Sequence, residues 1–416
     1  MAEQEMSGSE ALAYGALKAG VQFVTGYPGS PATAAVDALL RLAPDEVRIE
    51  WAINEKSAFD TAFGASLAGV RVLVCLKSVG LNVALDSLMV SNLAPGDGGF
   101  VLLVGDDPGG WGSQNEEDSR PLAAAAEVPL LEPTSVIEAG LVMQHAFALS
   151  ERYQLPVVVH ITRAFVLARG PVATSEAGDT PLPSASFQRQ PDRFNVLPVR
   201  VVPLHRKLQA TLNEVQTHFE DTALNSEGGQ GTAGVIAAGY ASAKLGEVLR
   251  QSGTPPLRIL RLGSLNPLPP KRIVRFLRPL SAALVLEETL PYVELQVQAI
   301  AQRAGLTLPI YGRSSAHVPS AGEIFAPHIA PALAALLPDW PWPSFEPQAR
   351  TMPSRQPLCD DCPYIPAFEA LLAVMDRHGG REAFVVTGET GCMVRAQLPP
   401  WEIMDLKYGM GSSIGL

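Results

Sequence analysis

The feature that most constrains the fold is an alternation of short apolar runs with longer helix-like segments across residues 1–175. The run FVLLVGDD (100–107) ends in two acids, which is typical of a central parallel strand whose carboxyl end meets a site. Helical patterns separate such runs, so this segment predicts a doubly wound parallel sheet of the α/β class. The other predicted strands are VQFVTGY (21–27), IEWAI (49–53), VRVLVCL (70–76) and PVVVHITRAF (156–165), and the predicted helices span 10–20, 31–43 and 135–155.

The rest of the chain divides into three further segments. Residues 176–227 are rich in Pro, Ser, Gln and Thr and contain one predicted helix, 204–221, so we expect a linker or extension there. A second α/β pattern fills 228–345, with apolar runs in GVIAAGY, LRILRLG and ALVLEE. Residues 346–416, which follow a proline-rich stretch, form an incomplete third domain.

Composition excludes several classes of protein. The net charge is −11 and no basic cluster is present, which argues against nucleic acid and anionic membranes as partners. No apolar run reaches the roughly 18 residues that a membrane span needs. The acidic start, MAEQEMSGSE, lacks a signal-peptide core, and four cysteines suggest no disulfide framework. We therefore expect a cytoplasmic enzyme.

The strand 49–53 ends in Asn54 and Glu55, where a helix of small residues begins. A carboxylate at the mouth of an apolar layer tends to have a raised pKa and can hold a proton, so Glu55 is the candidate catalytic residue. The alternative is an ordinary acid at a helix N-terminus that interacts favourably with the helix dipole.

Two segments near Glu55 in sequence have the residues of a binding site. In GYPGSP (26–31), Gly29 and Ser30 lie in a stiff turn before a helix, where backbone N–H groups bind anions well; an ordinary strand-to-helix turn is the alternative. Gly80 and Asn82 follow the strand 70–76 in a segment that we expect to be a loop. Asn82 either hydrogen-bonds a ligand or forms a turn beside Gly80.

The segment DDPGGWGSQNEEDSR (106–120) follows the central strand directly. Polar loops held at the end of a buried strand favour a site, so we expect Trp111, Gln114, Asn115, Glu116 and Asp118 to shape a substrate pocket. The surrounding glycines leave room for a bulky group, and Trp111 offers a face on which an aromatic ring can stack. The alternative is that Trp111 packs against the surface of the domain.

The third segment contains Cys359-x-x-Cys362, then Gly391 and Cys392 in TGETGC, then Met410 in GMGSSIG. A CxxC pair is half of a zinc or iron–sulfur site, or a redox pair. No second CxxC exists, and Cys392 makes only three cysteines in this region, so we assign no metal to the chain.

The order of these motifs resembles that of the thiamine-diphosphate-dependent 2-oxoacid:ferredoxin oxidoreductases, and most closely the alpha subunits of their indolepyruvate branch. The resemblance covers about Ser7 to Leu416 and implies a thiamine-diphosphate-binding fold, a transketolase C-terminal-like second domain and a partial third domain. It places Glu55 against N1′ of the cofactor's aminopyrimidine and Ser30 against the substrate's carboxylate or keto group.

The same resemblance assigns the other cofactor-binding residues. It places Gly29, Gly80 and Asn82 beside the cofactor. It implies that the turn of Cys359 and Cys362 stands at the start of the second thiamine-binding domain, near the cofactor, and binds no metal. It also sets the glycine-rich turns that contain Gly391, Cys392 and Met410 near the cofactor.

The implied reaction is oxidative decarboxylation of a 2-oxoacid, with an aryl pyruvate such as indolepyruvate preferred. Electrons pass through iron–sulfur clusters of the complete complex to ferredoxin, and coenzyme A takes the acyl group. A beta subunit is the implied partner. The Mg²⁺ anchor motif and the clustered cysteines of the family are not in this chain, so we expect a C-terminal truncation: a fragment, one half of a split gene, or a decayed relative. The rival functions are a non-oxidative thiamine-dependent decarboxylase or ligase, and a non-catalytic subunit-like scaffold.

Overall fold

The computed structural model describes residues 2–174, 185–347, 357–407 and 409. The chain divides into two compact units. The first contains Met1–Gly110 and Glu116–Ala349, and the second contains Trp111–Asn115 and Arg350–Leu416. The finer domain boundaries predicted at 175, 227 and 345 stay predictions.

The first unit begins with the predicted parallel sheet. Among the described residues this sheet has seven strands in the order β12-β6-β7-β5-β4-β2-β3, and only β12 runs antiparallel to its neighbour. Its strands are β2 (Phe23–Gly26), β3 (Arg48–Trp51), β4 (Val72–Lys77), β5 (Phe100–Asp106), β6 (Leu130–Leu131), β7 (Val157–Thr162) and β12 (Ser264–Asn266). Every residue of β5 and β7 is buried, as the continuous apolar runs predict.

Helices cover both faces of this sheet, so the predicted doubly wound arrangement is confirmed. One face packs against α1, α2, α6 and α7, and the other against α3, α4 and α5. The helices are α1 (Gly8–Lys18), α2 (Thr33–Leu42), α3 (Glu55–Leu67), α4 (Ser78–Ser91), α5 (Arg120–Ala125), α6 (Ala139–Tyr153) and α7 (Arg163–Leu167). A short antiparallel pair, β1 (Ala2–Ser7) with β8 (Arg169–Thr174), joins the two ends of this region.

A long helix connects the first sheet to the second. After the short α8 (Pro191–Phe194), helix α9 spans Pro198–Glu220. It begins six residues before the predicted start at 204, because Pro198 occupies its first turn, where a missing N–H costs nothing. No helix among the described residues has both the length and the apolar character needed to cross a bilayer.

The second sheet of the first unit has five strands within the described residues, in the order β14-β13-β10-β11-β9. All neighbours are parallel except β11 and β9. The strands are β9 (Asn225–Gly229), β10 (Ala233–Ala238), β11 (Leu257–Leu262), β13 (Ala282–Leu286) and β14 (Ile310–Tyr311), and the helices are α10 (Ala241–Gln251), α11 (Pro270–Leu277), α12 (Tyr292–Arg303) and α13 (Ala326–Leu336).

One of the buried clusters of the first unit spans both of its sheets. Leu102 of β5 and Val158 of β7 belong to the same cluster of buried side chains as Ile236 of β10 and Leu260 of β11. Strand β12 also crosses to the first sheet, where it pairs with β6. The residues 225–345 are therefore built into the first unit by burial of apolar surface, the dominant favourable term in folding.

The second unit is small. It contains α14 (Tyr364–Arg377), two 3₁₀ helices (Arg381–Ala383 and Gly391–Gln397) and a parallel pair of short strands, β15 (Thr387–Gly388) and β16 (Leu406–Lys407). Its own buried cluster includes Phe368 and Met375 of α14 and Met404 near β16.

Candidate active site

The candidate site lies at the carboxyl edge of the first sheet, at its topological switch point. The chain leaves β2 for β3 on one side, whereas β4 and β5 lie on the other side. Helices α2, α3 and α4 are the next elements after β2, β3 and β4, and they begin at this edge. Ligands of open α/β sheets bind in such crevices, and the helix N-termini provide a positive electrostatic environment there.

The GYPGSP turn closes one side of this crevice. The Gly29 N–H donates to Thr33 Oγ1 at 2.7 Å, so this N–H is engaged within the turn. Ser30 is exposed. A Cβ built on Gly29 would lie 2.8 Å from Cβ of Lys77, so only glycine lets the turn approach the end of β4 this closely.

Glu55 is held at the N-terminus of α3. The Asn54 side chain caps α3 by accepting the Ser57 N–H at 2.8 Å, which fixes Glu55 as the first residue of the helix. The Glu55 side chain points inward: the residue is only 4% exposed. No ion pair of Glu55 occurs in the described part of the chain.

Burial raises the pKa of the Glu55 carboxyl above its ordinary value, and a hydrogen bond from its own backbone N–H lowers it by less. The carboxyl is thus stabilised in its neutral, proton-donating form, as a buried acid without a cationic partner should be. The predicted electrostatic character of Glu55 is reproduced by the structure, whereas its catalytic role stays a prediction.

Gly80 makes room for this carboxyl group. A Cβ on Gly80 would lie 2.7 Å from Glu55 Cγ and 3.0 Å from Oε1. These distances are shorter than real Cβ contacts, so any larger residue would displace the acid. Glu55 thus packs against Gly80 in the first turn of α4, and Gly29 packs against Lys77 at the end of β4.

The segment that contains Gly80 and Asn82 is a helix, and the expectation of a loop was wrong. Helix α4 begins at Ser78, immediately after β4, and its residues Leu81, Ala84 and Leu88 are fully buried. This spacing of i, i+3 and i+7 is an amphipathic face, and its burial outweighs the poor helix propensity of glycine and asparagine. Asn82 is exposed on α4 and does not form a turn.

The predicted substrate residues Trp111, Gln114 and Asn115 lie in the second unit of the chain. Trp111 is half-buried, whereas Gln114 and Asn115 are exposed. The next residue, Glu116, belongs to the first unit and accepts N–H groups of Gly109 at 3.0 Å and Gly322 at 2.7 Å. The roles of Trp111, Gln114 and Asn115 in substrate binding stay predictions.

The other predicted cofactor residues are also in the second unit. Cys359, Gly391 and Cys392 are exposed and Cys362 is half-buried. Gly391 has a φ of +84°, a left-handed conformation that glycine adopts without strain. Met410 lies outside the described residues.

The sequence reasoning missed a buried ionic network beside the site. His160, in the middle of β7, contacts Asp106 Oδ2 at 2.8 Å and Glu132 Oε2 at 3.0 Å. Burial lowers the pKa of the imidazole, but the carboxylates of Asp106 and Glu132 outweigh this effect and raise the pKa to about 10. His160 is therefore a buried cation, and the histidine inside the apolar run VVVHIT was the available signal.

A second part of this network is centred on Arg120, which is fully buried. Arg120 donates to both carboxylate oxygens of Asp118, at 2.9 and 2.6 Å, and its Nη1 lies 2.9 Å from Glu287 Oε2. Asp118 also accepts the Leu290 N–H at 2.9 Å. Burial raises the pKa of Asp118, but Arg120 outweighs it and holds the pKa at about 2. Asp118, which was expected to shape a substrate pocket, has a fully buried side chain that anchors the two sheets to each other.

Comparison with known proteins identifies the family. A family model described as pyruvate flavodoxin/ferredoxin oxidoreductase, thiamine diphosphate-binding, matches residues 14–220. The indolepyruvate oxidoreductase subunit IorA of Pyrococcus abyssi is 33% identical over 98% of this chain and 64% of its own length. IorA of Methanothermobacter thermautotrophicus is 34% identical over 98% of this chain and 66% of its own length. The chain therefore spans about two thirds of the length of the curated relatives that it matches.

Solved structures agree on the fold. The 2-oxoglutarate:ferredoxin oxidoreductase from Magnetococcus marinus, with 2-oxoglutarate, coenzyme A and succinyl-CoA bound, superposes with a TM-score of 0.60 at 18% identity, covering 74% of this chain and 62% of that one. A split-gene transketolase, an inactive β4 tetramer, gives 0.51 at 15% identity over 80% of this chain and 98% of that one. The predicted thiamine-diphosphate-binding fold class is confirmed.

Identity along nearly the whole chain, together with the matched thiamine-diphosphate-binding region, shows that this chain belongs to the 2-oxoacid:ferredoxin oxidoreductase family.

Proposed function

We propose that this chain is the alpha-subunit-like part of a thiamine-diphosphate-dependent oxidoreductase that decarboxylates an aryl 2-oxoacid, with indolepyruvate as the representative substrate. The observation that supports it best is the buried carboxyl of Glu55 at the switch point of the first sheet, where burial raises its pKa above the ordinary value. The IorA relatives, named for indolepyruvate, support the substrate class.

The cluster around Glu55 fits the aminopyrimidine of thiamine diphosphate. A ring nitrogen that must be protonated needs a carboxylic acid as donor, and burial shifts the pKa of Glu55 upward, towards that form. The glycine at position 80 leaves the space around the acid open, because a Cβ there would collide with it. We assign Glu55, Gly80 and the turn of Gly29 and Ser30 to this half of the cofactor site.

The proposed role of Glu55 rests on its burial, which raises the pKa of the carboxyl and so favours its protonated form. In that form Glu55 would donate its proton to the ring nitrogen and take it back in a later step, as a general acid and base. When bound, thiamine diphosphate supplies stabilisation of the carbanion left by decarboxylation.

The overall reaction balances with a thiol and a one-electron carrier. A 2-oxoacid anion, coenzyme A and two oxidised ferredoxins give an acyl-CoA, CO₂, one proton and two reduced ferredoxins. We propose that the iron–sulfur clusters, the Mg²⁺ anchor for the diphosphate and a beta subunit come from the complete complex. Cys359, Cys362, Gly391, Cys392 and Met410 are the proposed cofactor contacts of the second unit.

Substrate contacts are proposed from the loop after β5. Trp111, Gln114 and Asn115 belong to the second unit, and Ser30 lies in the turn before α2. The indole ring of Trp111 would stack on an aryl side chain, which is worth roughly 0.5–1.5 kcal/mol beyond area burial. We also propose a cytoplasmic location, since exposed thiols such as those of Cys359 and Cys392 persist in a reducing compartment.

The decisive experiment is Glu55→Gln in the complex reconstituted with its beta subunit. We expect 2-oxoacid oxidation, followed with a one-electron acceptor and coenzyme A, to fall by about 10²–10⁴-fold, because glutamine keeps the shape and removes the proton donor. Thiamine diphosphate binding in the presence of Mg²⁺, measured by titration calorimetry, should weaken far less.

Glu50→Gln is the matched control. Glu50 lies on β3, five residues before Glu55, and forms a surface ion pair with Arg48 at 2.8 Å, so its loss should leave turnover unchanged. Activity of the Glu55→Gln complex within a few-fold of wild type would remove Glu55 from the catalytic role. Turnover that ignored both coenzyme A and the electron acceptor would instead indicate a non-oxidative decarboxylase.

A further inference from the structure

We propose that Cys359 and Cys362 form a reversible dithiol–disulfide pair on the surface of the second unit. This proposal does not depend on the assigned reaction, because it rests on the geometry of the turn and on the exposure of its two thiols.

The backbone between the two cysteines is a tight turn. The Cys362 N–H donates to the Cys359 carbonyl oxygen at 3.0 Å, and Asp360 and Asp361 occupy the turn positions. A turn closed by this i to i+3 hydrogen bond holds its first and last Cα atoms within about 7 Å. Disulfides span Cα separations of about 4.4–6.8 Å, so the pair can close with little movement of the backbone.

The turn is held from its carboxyl side. The Ile365 N–H donates to the Cys362 carbonyl oxygen at 3.0 Å, and α14 begins at Tyr364, so Cys362 is fixed directly before a 14-residue helix. Neither cysteine belongs to the buried cluster of the second unit, which consists of residues such as Phe368 and Met375. The thiols therefore contribute no core packing that oxidation would disrupt.

The exposure of Cys359 and the partial exposure of Cys362 favour access of a small oxidant. Cys359 is exposed and Cys362 is half-buried. Cys75, by contrast, lies inside β4, where burial raises the pKa of its thiol to about 12 and keeps it unreactive. Cys392 is exposed but lies on a different element, the 3₁₀ helix Gly391–Gln397, so the Cys359–Cys362 turn is the pair that the backbone already brings together.

The oxidant is a low-molecular-weight disulfide such as glutathione disulfide. One protein thiolate attacks a sulfur of the oxidant, which forms a mixed disulfide and releases one glutathione thiolate. The second protein thiolate then attacks the protein sulfur of the mixed disulfide and releases the second glutathione. Two electrons pass to the oxidant, and the two protons of the cysteine thiols are taken up by the two glutathiones.

Glutathione redox buffers of increasing disulfide content, followed by alkylation and tryptic mass spectrometry of the full chain, test the pair. Trypsin releases 356–377 with Cys359 and Cys362, 382–395 with Cys392, and 72–77 with Cys75, so each outcome appears in its own peptide. We expect the peptide 356–377 to lose both alkylatable thiols together, to become two hydrogen atoms lighter, and to regain both thiols after reduction with dithiothreitol.

Three results would overturn the proposal: both cysteines of 356–377 remain alkylatable in the most oxidising buffer, both carry glutathione, or a disulfide links this peptide to 382–395. Cys362→Ser sharpens the test, because the remaining Cys359 should stop at the mixed disulfide with glutathione. Cys75→Ser is the control and should leave the behaviour of 356–377 unchanged.

Discussion

Replacement of Arg120 by methionine tests whether the buried ionic network holds the two sheets of the first unit together. Methionine keeps the length of the side chain but leaves the carboxylates of Asp118 and Glu287, both almost completely buried, without their cation. Removal of one partner from a buried ion pair costs about 3–5 kcal/mol, chiefly because the other charge stays buried. We therefore expect the free energy of unfolding to fall by that amount.

The assay is urea unfolding of the full chain followed by far-ultraviolet circular dichroism. Arg275→Met is the matched control, since Arg275 forms an exposed ion pair with Glu227 at 2.9 Å and its loss should cost about 1 kcal/mol or less. The triple variant Asp118→Asn, Glu287→Gln, Arg120→Met should recover part of the lost free energy of unfolding, because the two uncompensated carboxylate charges are removed together with the arginine.

The pH dependence gives a second readout. Burial raises the pKa of Glu287 to about 7, while Arg120 acts to lower it. Because this folded-state pKa lies above the unfolded value of about 4.3, ionised Glu287 destabilises the fold increasingly as pH rises from about 4.3 through 7. Without Arg120 the pKa of Glu287 rises further, so the deficit of Arg120→Met should be larger at pH 8 than at pH 5.5.

Asp118 should also make the loss of stability in Arg120→Met larger at neutral pH than at low pH. Its pKa of about 2 lies below its unfolded value, so in the wild type it contributes stability that is present above about pH 3.9 and is lost as pH falls through 2. Arg120→Met removes that contribution at neutral pH. A loss of about 1 kcal/mol or less, independent of pH, would refute the assignment of Arg120 as the anchor between the sheets.

Three further predictions concern the site and its ligands. Gly80→Ala should weaken thiamine diphosphate binding and destabilise the chain by about 1–3 kcal/mol, because the added Cβ displaces Glu55. The control Gly64→Ala, on an open face of α3, should instead stabilise the chain by roughly 0.5–1 kcal/mol. Equal effects of the two substitutions in calorimetry and urea unfolding would contradict the steric argument. The isolated chain should purify without stoichiometric zinc or iron, and elemental analysis that finds one metal ion per chain would revive a cysteine site. In the complete complex, kcat/KM should favour phenylpyruvate over pyruvate by at least about tenfold, through burial of the aryl group and stacking on Trp111; equal values would rule this preference out.

The sequence by itself determined five strands of the first sheet, β2, β3, β4, β5 and β7, and the position of Glu55, whereas β6 and the crossing strand β12 were not predicted. Strands such as β5 and β7 are continuous apolar runs buried on both faces, and this signal is local, so their bounds agree with prediction within about three residues. Glu55 was identified because a strand end followed by a helix of small residues fixes its place at the edge of the sheet. The order of motifs along the chain also indicated the family.

Tertiary structure decided what depends on neighbours distant in sequence. The segment 78–91 contains Gly80 and Asn82, which favour a turn locally, yet it is helical because Leu81 and Leu88 are buried against the sheet. The contact of Gly80 with Glu55 and the pairing of Arg120 with Glu287 join residues that no pattern in the sequence connects. Burial of a charge is favourable only where folding brings its partner within hydrogen-bond distance, and that condition is set by the packing of the two sheets.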